Sequence, residues 1–224
     1  MKTLKHKIIH LLFLVAFAAS CTSQETDFGF DSAISGIVKD NNGNPLYGDL
    51  NANNIIVRLL GDNDKETIDI RVKGDGTYQN QKMFPKMHKI WVEGPIVPSD
   101  SLLVDLGSKS NAVQDFVVTP LTSPTVTSGS ATGTTINVAY SITAHGSNTI
   151  SKKEVYCSTV IYPTSSIGSM TNVYSTKTVT LPALSGTVAI TGLTSGTKYF
   201  IRIGTQATSS KLMNYSNQIE VTVP

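Results

Sequence analysis

Histidines that could act as bases or metal ligands are scarce in this 224-residue chain. Only His88 and His145 lie beyond residue 20, and the chain contains no H-E-x-x-H or paired C-x-x-C pattern. A zinc ion takes three or four closely placed His, Cys or carboxylate ligands. The sequence therefore predicts no zinc site. We expect His88 to be a hydrogen-bonded residue of the fold and His145 to lie in a solvated loop.

Acidic side chains are the other candidates for chemistry. Two carboxylates about 5–10 Å apart suffice for glycoside hydrolysis, and several oxygen ligands can hold calcium. The candidates are Asp62, Asp64, Glu66, Asp69 and Asp75. These residues lie in and around a predicted hairpin, where acidic side chains are expected simply because the loop is solvated. Neither they nor Asp40–Asn44 follow the twelve-residue spacing of a calcium-binding loop. Nucleophile-elbow, P-loop and dinucleotide motifs are absent from the sequence, so we predict a non-enzymatic protein without catalytic residues, metal or cofactor.

Cys21 follows a segment that resembles a bacterial lipoprotein signal. Met1–Lys7 is basic, Ile8–Phe17 is apolar but too short for a bilayer core of about 30 Å, and Ala18–Ser20 is small. The resemblance to a lipobox implies that Cys21 is acylated and becomes the first mature residue. Several acyl chains would anchor the protein firmly, since each buried methylene contributes roughly 0.8 kcal/mol. Ordinary secretory cleavage, which would leave Cys21 as a spare thiol, is the alternative.

Net charge is almost zero once the predicted signal is removed. The whole chain has 18 Lys and Arg against 16 Asp and Glu. Residues 1–20 contain Lys2, Lys5 and Lys7 and no acid, so the mature chain keeps 15 basic residues. Such a composition provides no basic surface for nucleic acid, and we predict no nucleic-acid partner.

Aromatic side chains are the strongest indication of a binding function. A ring offers an apolar face to a sugar, while nearby amides and carboxylates bind sugar hydroxyl groups. Alternation along the segment HKIWVE puts Ile90 and Val92 on one face and Trp91 on the other. Trp91 is therefore either a binding platform or a residue that packs against a second domain. The other predicted glycan-platform residues are Tyr47, Tyr162, Tyr174 and Tyr215.

Strands must position these side chains, because helical periodicity is almost absent beyond the signal. Short alternating runs separated by Gly, Asn, Pro and Ser predict an all-β protein. Strands are predicted at residues 33–39, 54–60, 67–73, 76–84, 89–93 and 112–119. A turn is predicted at Asp40–Pro45, and Tyr78 is expected in the core.

A proline-containing segment, Thr119–Pro124, is predicted as a linker between two domains. Beyond it, strands are predicted at residues 135–143, 153–161, 174–181, 186–190, 198–205 and 218–223. We expect Cys157, within one of these strands, to be a small buried apolar residue. The predicted organisation is a signal at 1–20, a lipidated tether at 21–32, and domains at 33–119 and 120–224.

Both halves resemble known β-sandwich domains. The order SGIVKDNNGNPLYG, IIVRLL, GDGTYQNQKMF and HKIWVEG resembles the transthyretin-like or carboxypeptidase-regulatory-like sandwich, although His88 stands where that family usually has Tyr. Thr191–Ile203 resembles the end of a fibronectin type III domain. That resemblance implies a tyrosine corner at Tyr199, with Ile201 facing inward and Arg202 outward. Two tandem β-sandwiches are therefore expected, and such scaffolds imply no catalysis by themselves.

The whole mature chain resembles a family of two-domain Bacteroidetes surface lipoproteins of unassigned biochemistry. The shared features are the lipoprotein signal, the two sandwiches, the stretch from Gly94 to Leu106 and an Asn-Tyr-Ser near the end. Genes of this family often accompany starch-utilisation-type systems, which pair a TonB-dependent transporter with glycan-binding lipoproteins. The resemblance implies an accessory protein anchored in the outer membrane, facing outward and binding a polysaccharide or oligosaccharide. An adaptor of the transporter complex without sugar affinity is the alternative.

Overall fold

The computed structural model describes residues 29–49, 52–107, 111–165 and 176–224. Alternation of buried and exposed positions within these ranges produces β-strands that each turn one face toward a core. The contacts between residues divide the chain into two compact units, Met1–Phe30 and Asp31–Pro224. Of the first unit, the structure describes only Gly29 and Phe30. Cys21 and the predicted signal thus lie outside the described residues. In the described ranges, none of the helical structure has the length and apolar character needed to cross a bilayer.

Two sheets in the first half enclose one hydrophobic core. The strands are β1 (Ser32–Lys39), β2 (Ile56–Gly61), β3 (Ile68–Arg71), β4 (Thr77–Met83), β5 (Met87–Glu93), β6 (Leu102–Asp105), β7 (Asn111–Val113) and β8 (Phe116–Val117). One sheet has the order β4-β1-β7, with β8 also paired to β1, and the other has the order β3-β2-β5-β6. Val57, Ile90 and Phe116 are among the side chains buried between them, and Tyr78 is in this core as predicted. This half is a β-sandwich.

The second half repeats the arrangement with a separate core. Its strands are β9 (Thr122–Thr132), β10 (Thr135–Ala144), β11 (Ile150–Ser158), β12 (Thr176–Thr180), β13 (Ser185–Ile190), β14 (Lys198–Ala207), β15 (Met213–Tyr215) and β16 (Ile219–Thr222). The sheets have the orders β13-β10-β9 and β12-β11-β14-β15, with β16 also paired to β14. Ile136, Val155 and Ile201 lie in the core between them. The predicted all-β class with two tandem sandwiches is confirmed.

Two predicted features of the second sandwich take the expected form. The hydroxyl of Tyr199 accepts a hydrogen bond from the backbone N–H of Thr194 at 3.1 Å, as in a tyrosine corner. Cys157 is completely buried in the core, and burial raises the pKa of its thiol to about 12. Both residues therefore stabilise the sandwich from inside.

The segment predicted as a linker is ordered and partly a strand. Strand β9 begins at Thr122, so Pro124 lies within a sheet. The sheet tolerates this proline because β9 is at the edge of the order β13-β10-β9, where one side of a strand needs no ladder hydrogen bonds. The junction is also bound to the first sandwich: Val97 N–H donates to the Thr119 carbonyl at 2.8 Å, and Leu121 N–H to the Pro95 carbonyl at 2.9 Å.

Candidate functional site

Trp91 lies on the outer face of the sheet β3-β2-β5-β6. In β5 the buried residues His88, Ile90 and Val92 alternate with more exposed ones, so the predicted outward direction of Trp91 is confirmed. Trp91 is paired with Arg58 on the neighbouring strand β2, and Arg58 is paired in turn with Asp69 on β3. One face of the sheet thus presents an aromatic ring beside side chains of both charges.

Polar contacts orient the Trp91 ring. Its Nε1–H donates a 2.8 Å hydrogen bond to Glu93 Oε1. The Arg58 guanidinium lies 3.4 Å from Glu93 Oε2 and 3.2 Å from Asp69 Oδ1, the latter an ionic contact rather than an aligned hydrogen bond. Partly exposed ion pairs contribute at most about 1 kcal/mol to stability. These contacts therefore serve mainly to hold the indole in one orientation, which lowers the cost of ordering it on binding.

A groove of about 560 Å³ opens beside this ring. We call it the Trp91 groove, and its walls include Asn53, Ile56, Arg58, Trp91, Glu93, Pro98, Ser99 and Leu212. Its volume is within the range of small-ligand sites, about 300–1,000 Å³. Because Leu212 belongs to the second sandwich, both halves of the protein contribute to the groove. The groove combines an apolar ring with hydrogen-bonding groups.

Three of the predicted platform tyrosines meet at the junction of the two sandwiches. The guanidinium carbon of Arg202 lies 5.6 Å from the ring centroid of Tyr47, 5.8 Å from that of Tyr162 and 4.9 Å from that of Tyr215. Each distance permits a cation–π interaction. Since Tyr47 comes from the first half and the other residues from the second, this tyrosine cage joins the sandwiches.

Arg202 faces outward from its own sheet as expected, yet it is completely buried. Its Nε donates to the Ser216 carbonyl at 3.1 Å and its Nη1 to the Gly48 carbonyl at 3.4 Å. No described residue accepts a hydrogen bond from Nη2. Burial lowers the pKa of Arg202 to about 10, against the opposing effect of Tyr215 and Asp49. The first sandwich covers this face, a contact that sequence reasoning missed.

Tyr215 and Tyr162 are held by further specific contacts. The Tyr215 hydroxyl donates to Asp49 Oδ2 at 3.2 Å, and burial raises its pKa to about 12. Tyr162 has a left-handed backbone with φ of 53°, and its N–H donates to Gln218 Oε1. Its ring lies over Gly74, where a Cβ would come within 2.3 Å of the ring. Both tyrosines therefore have a structural role; contact of either ring with a glycan stays a prediction.

Other sequence-predicted residues lie apart from these sites. Tyr174 and Cys21 fall outside the described residues. His88 is buried and its Nδ1–H donates to the Lys86 carbonyl at 2.9 Å. Asp64 forms an ion pair with Lys86. Within the described ranges, no three His, Cys, Asp or Glu residues are grouped so that they could hold a metal ion.

A second cavity, which the sequence did not predict, lies between the two sandwiches. We call it the inter-sandwich cleft; its volume is about 480 Å³. Its polar lining residues include Asp40, Asn42, Asn44, Tyr47, Thr125, Thr143, His145 and Asn217. His145 lies in the loop between β10 and β11, as expected, but is half-buried there, with Nε2 2.7 Å from Ser123 Oγ. In the sequence, the one signal for this cleft is the Asp40–Pro45 segment, whose residues predict a turn but no binding site.

Comparison with known proteins identifies the fold. No protein-family model and no curated protein matches the chain. Crystal structures of two DUF3823 family proteins are similar. The one from Bacteroides ovatus has a TM-score of 0.70 at 19% identity, over 87% of this chain and 100% of that chain. The one from Parabacteroides merdae has a TM-score of 0.68 at 20% identity, over 85% and 98%.

A third similar structure, from Bacteroides uniformis, is that of a protein named as a candidate carbohydrate-binding protein. It matches with a TM-score of 0.68 at 16% identity, over 87% of this chain and 100% of that chain. Since the matches extend over nearly the whole length of both chains, they include both sandwiches. At these identities the three structures establish a shared two-sandwich fold.

Proposed function

We propose that this protein is a non-enzymatic glycan-binding lipoprotein that captures a polysaccharide or oligosaccharide in the Trp91 groove. The observation that carries the proposal is the orientation of Trp91, outward on a sheet face, hydrogen-bonded to Glu93 and beside an open groove. The name of the Bacteroides uniformis protein of the same fold also supports sugar binding.

Binding would combine one apolar contact with several hydrogen bonds. The C–H face of a sugar ring packs on the exposed part of the indole. The Glu93 carboxylate accepts hydrogen bonds from sugar hydroxyl groups, and the Arg58 guanidinium donates them. Each of these charged groups already has a partner, so the gain from a single site is small. Many anchored copies on one surface would raise the overall affinity for a long polysaccharide.

Affinity electrophoresis and calorimetry against a panel of polysaccharides test the proposal. We expect Trp91→Ala to weaken binding at least about tenfold, equivalent to about 1.4 kcal/mol. The matched control is Phe84→Ala, which removes another exposed aromatic side chain outside the groove and should leave affinity unchanged. Absence of binding to every glycan, or equal affinity of wild type and Trp91→Ala, would contradict the proposal.

The location is part of the proposal and rests on the signal sequence. Acylated Cys21 would hold the sandwiches at the outer face of the outer membrane, beside a TonB-dependent transporter that imports the captured sugar. Mass spectrometry of the protein from its native membrane should find an acyl-modified Cys21 at the mature N-terminus. A freely soluble product with a bare thiol at Cys21 would refute the anchor.

A transporter-complex adaptor without sugar affinity is the second candidate, and exposed apolar residues at sheet edges favour it. Leu103 on edge strand β6 is 73% exposed, and Val113 on edge strand β7 is 79% exposed. Apolar side chains beside unpaired strand edges are typical of protein contacts. Co-purification from detergent-solubilised outer membrane distinguishes the two functions. A stoichiometric partner together with no glycan affinity favours the adaptor.

A further inference from the structure

The inter-sandwich cleft is lined by five separate parts of the chain, one of which is Ile55 just before β2. The turn after β1 supplies Asp40, Asn42 and Asn44, and Tyr47 follows it. The second sandwich supplies the start of β9, the end of β10 and the residues around β15. Because the walls come from both sandwiches, the cleft exists only while they are packed together.

Hydrogen bonds within the turn hold the Asp40 carboxylate in place at the cleft. Its Oδ1 accepts hydrogen bonds from the backbone N–H groups of Asn42 and Asn44, both at 2.8 Å. Its Oδ2 accepts a 3.0 Å bond from Asn44 Nδ2. Both carboxylate oxygens thus accept hydrogen bonds from within the turn. The remaining polar lining consists of amides, hydroxyls and one imidazole, a set that suits a neutral ligand.

Several groups in the cleft are available to a ligand. No described residue hydrogen-bonds to the side-chain amide of Asn42 or to the hydroxyls of Tyr47, Thr125 and Thr143. Amides and hydroxyls both donate and accept, which is what the hydroxyl groups of a sugar require. The Tyr47 ring adds an apolar surface and is held in place by Arg202.

The opposite wall is rigid because its amides are already bonded. Asn217 Oδ1 accepts from Val126 N–H at 3.1 Å, and Asn217 Nδ2 donates to the Val126 carbonyl at 3.0 Å. Asn214 Oδ1 accepts from the N–H and the hydroxyl of Thr122 at 3.1 and 3.0 Å. A wall ordered in advance loses little conformational entropy when a ligand binds.

We propose that the inter-sandwich cleft is a second carbohydrate site, which takes a neutral, uncharged saccharide segment through amide and hydroxyl hydrogen bonds and the Tyr47 ring. The inference rests on the proposed glycan-binding function and adds a site that is independent of Trp91. One protein molecule then binds two short oligosaccharides, or two segments of one long chain.

The test uses calorimetry with short neutral oligosaccharides prepared from the polysaccharide that wild type retains. We expect two binding sites in wild type and one in Trp91→Ala. Thr125→Leu adds bulk at the cleft wall and should remove one site from wild type and all binding from the Trp91→Ala background. Thr127→Leu is the matched control, because Thr127 is exposed on the same strand but lies outside the cleft. Asn42→Ala should weaken the cleft site about fivefold, as expected for one lost hydrogen bond of about 1 kcal/mol.

The outcomes separate the two proposals. A single site that Trp91→Ala abolishes and Thr125→Leu leaves intact overturns the cleft inference while glycan binding stands. A single site that Thr125→Leu abolishes and Trp91→Ala leaves intact supports the cleft and overturns the Trp91 groove. No binding to any saccharide overturns both. Backbone amide chemical shifts give a second measurement: a bound oligosaccharide should shift Asn42 and Gly43 in the Trp91→Ala variant, and unchanged shifts there overturn the inference.

Discussion

Replacement of Arg202 by alanine should uncouple the two sandwiches. The variant removes the two hydrogen bonds to the Ser216 and Gly48 carbonyls and the cation at the centre of the tyrosine cage. It also leaves the Asp49 side chain, which is 2% exposed, without the positive charge of Arg202 nearby. Because the Gly48 bond and the Tyr47 contact both cross the junction, the loss includes direct contacts between the sandwiches.

The expected loss follows from these contacts. Hydrogen bonds to a charged donor contribute about 1.5–3 kcal/mol each, and a desolvated cation–π contact about 2 kcal/mol. Burial of the guanidinium opposes these contributions and costs on the order of several kcal/mol. Part of this cost arises because Nη2 is buried without a hydrogen-bond acceptor among the described residues. Truncation that leaves a buried charge and a cavity typically costs about 3–5 kcal/mol. With a urea m-value of about 2 kcal/mol per M, the unfolding midpoint falls by about 2 M.

Two spectroscopic signals can follow this uncoupling separately. Trp91 is the single tryptophan in the chain and lies in the first sandwich, so its fluorescence reports on that half. Far-UV circular dichroism reports on both halves. In wild type the two urea transitions should coincide, and in Arg202→Ala they should separate.

Arg58→Ala is the matched control for this experiment. The Arg58 side chain is 33% exposed and its ion pairs are on the surface, so the loss should be at most about 1 kcal/mol. Arg202→Met, which keeps apolar volume without the charge, should be less destabilising than Arg202→Ala. If Arg202→Ala loses no more than Arg58→Ala and its two transitions still coincide, Arg202 does not couple the sandwiches.

Three further predictions concern buried groups. Burial raises the Tyr215 pKa from 10.0 to about 12, so the folded protein keeps a proton that the unfolded chain loses above pH 10. Tyr215 therefore contributes a fall of about 2.7 kcal/mol to the free energy of unfolding as pH rises through that range, so in urea titrations wild type should lose more stability than Tyr215→Phe by about this amount; equal changes in the two proteins would contradict this. Gly74→Ala should displace the Tyr162 ring and cost about 1–3 kcal/mol, measured against Gly107→Ala, whose nearest contact would be 3.2 Å; similar melting temperatures would refute the clash. Cys157, buried and with a pKa raised to about 12, should resist thiol reagents in a folded chain that starts at residue 22 and react once on unfolding; rapid native labelling would disprove its burial.

Local alternation was sufficient to predict most strands and the direction of their side chains. Side chains of a strand alternate between its two faces, so Ile90 and Val92 identified the core side of β5 and thereby the outer side for Trp91. Tyr78 was placed in a core as the aromatic residue after the Asp75-Gly76-Thr77 turn, and Cys157 as a lone cysteine within a strand. Strands β6, β9 and β15 were missed. Strands β6 and β15 have only four and three residues, which give too little alternation to recognise, whereas β9 has eleven residues but begins within the proline-containing segment predicted as a linker.

The structure of the Thr119–Pro124 segment could not be predicted from its local sequence. Two prolines indicated a linker, since proline interrupts the hydrogen bonds of a central strand. Pro124 nevertheless lies in β9, because β9 is an edge strand. Edge position depends on which strands pair, and the sequence of the segment itself contains no information about that.

By itself, the sequence determined the fold class, the two cores and the outward direction of both Trp91 and Arg202. Only the tertiary structure decided that Trp91 keeps an open groove while Arg202, equally outward from its own sheet, is completely buried. It also brought Tyr47 and Tyr215 to one cation and formed the inter-sandwich cleft from five separate parts of the chain. The physical reason is that alternation along a strand sets the direction of a side chain relative to its own sheet. What covers that side chain depends on how distant surfaces pack together.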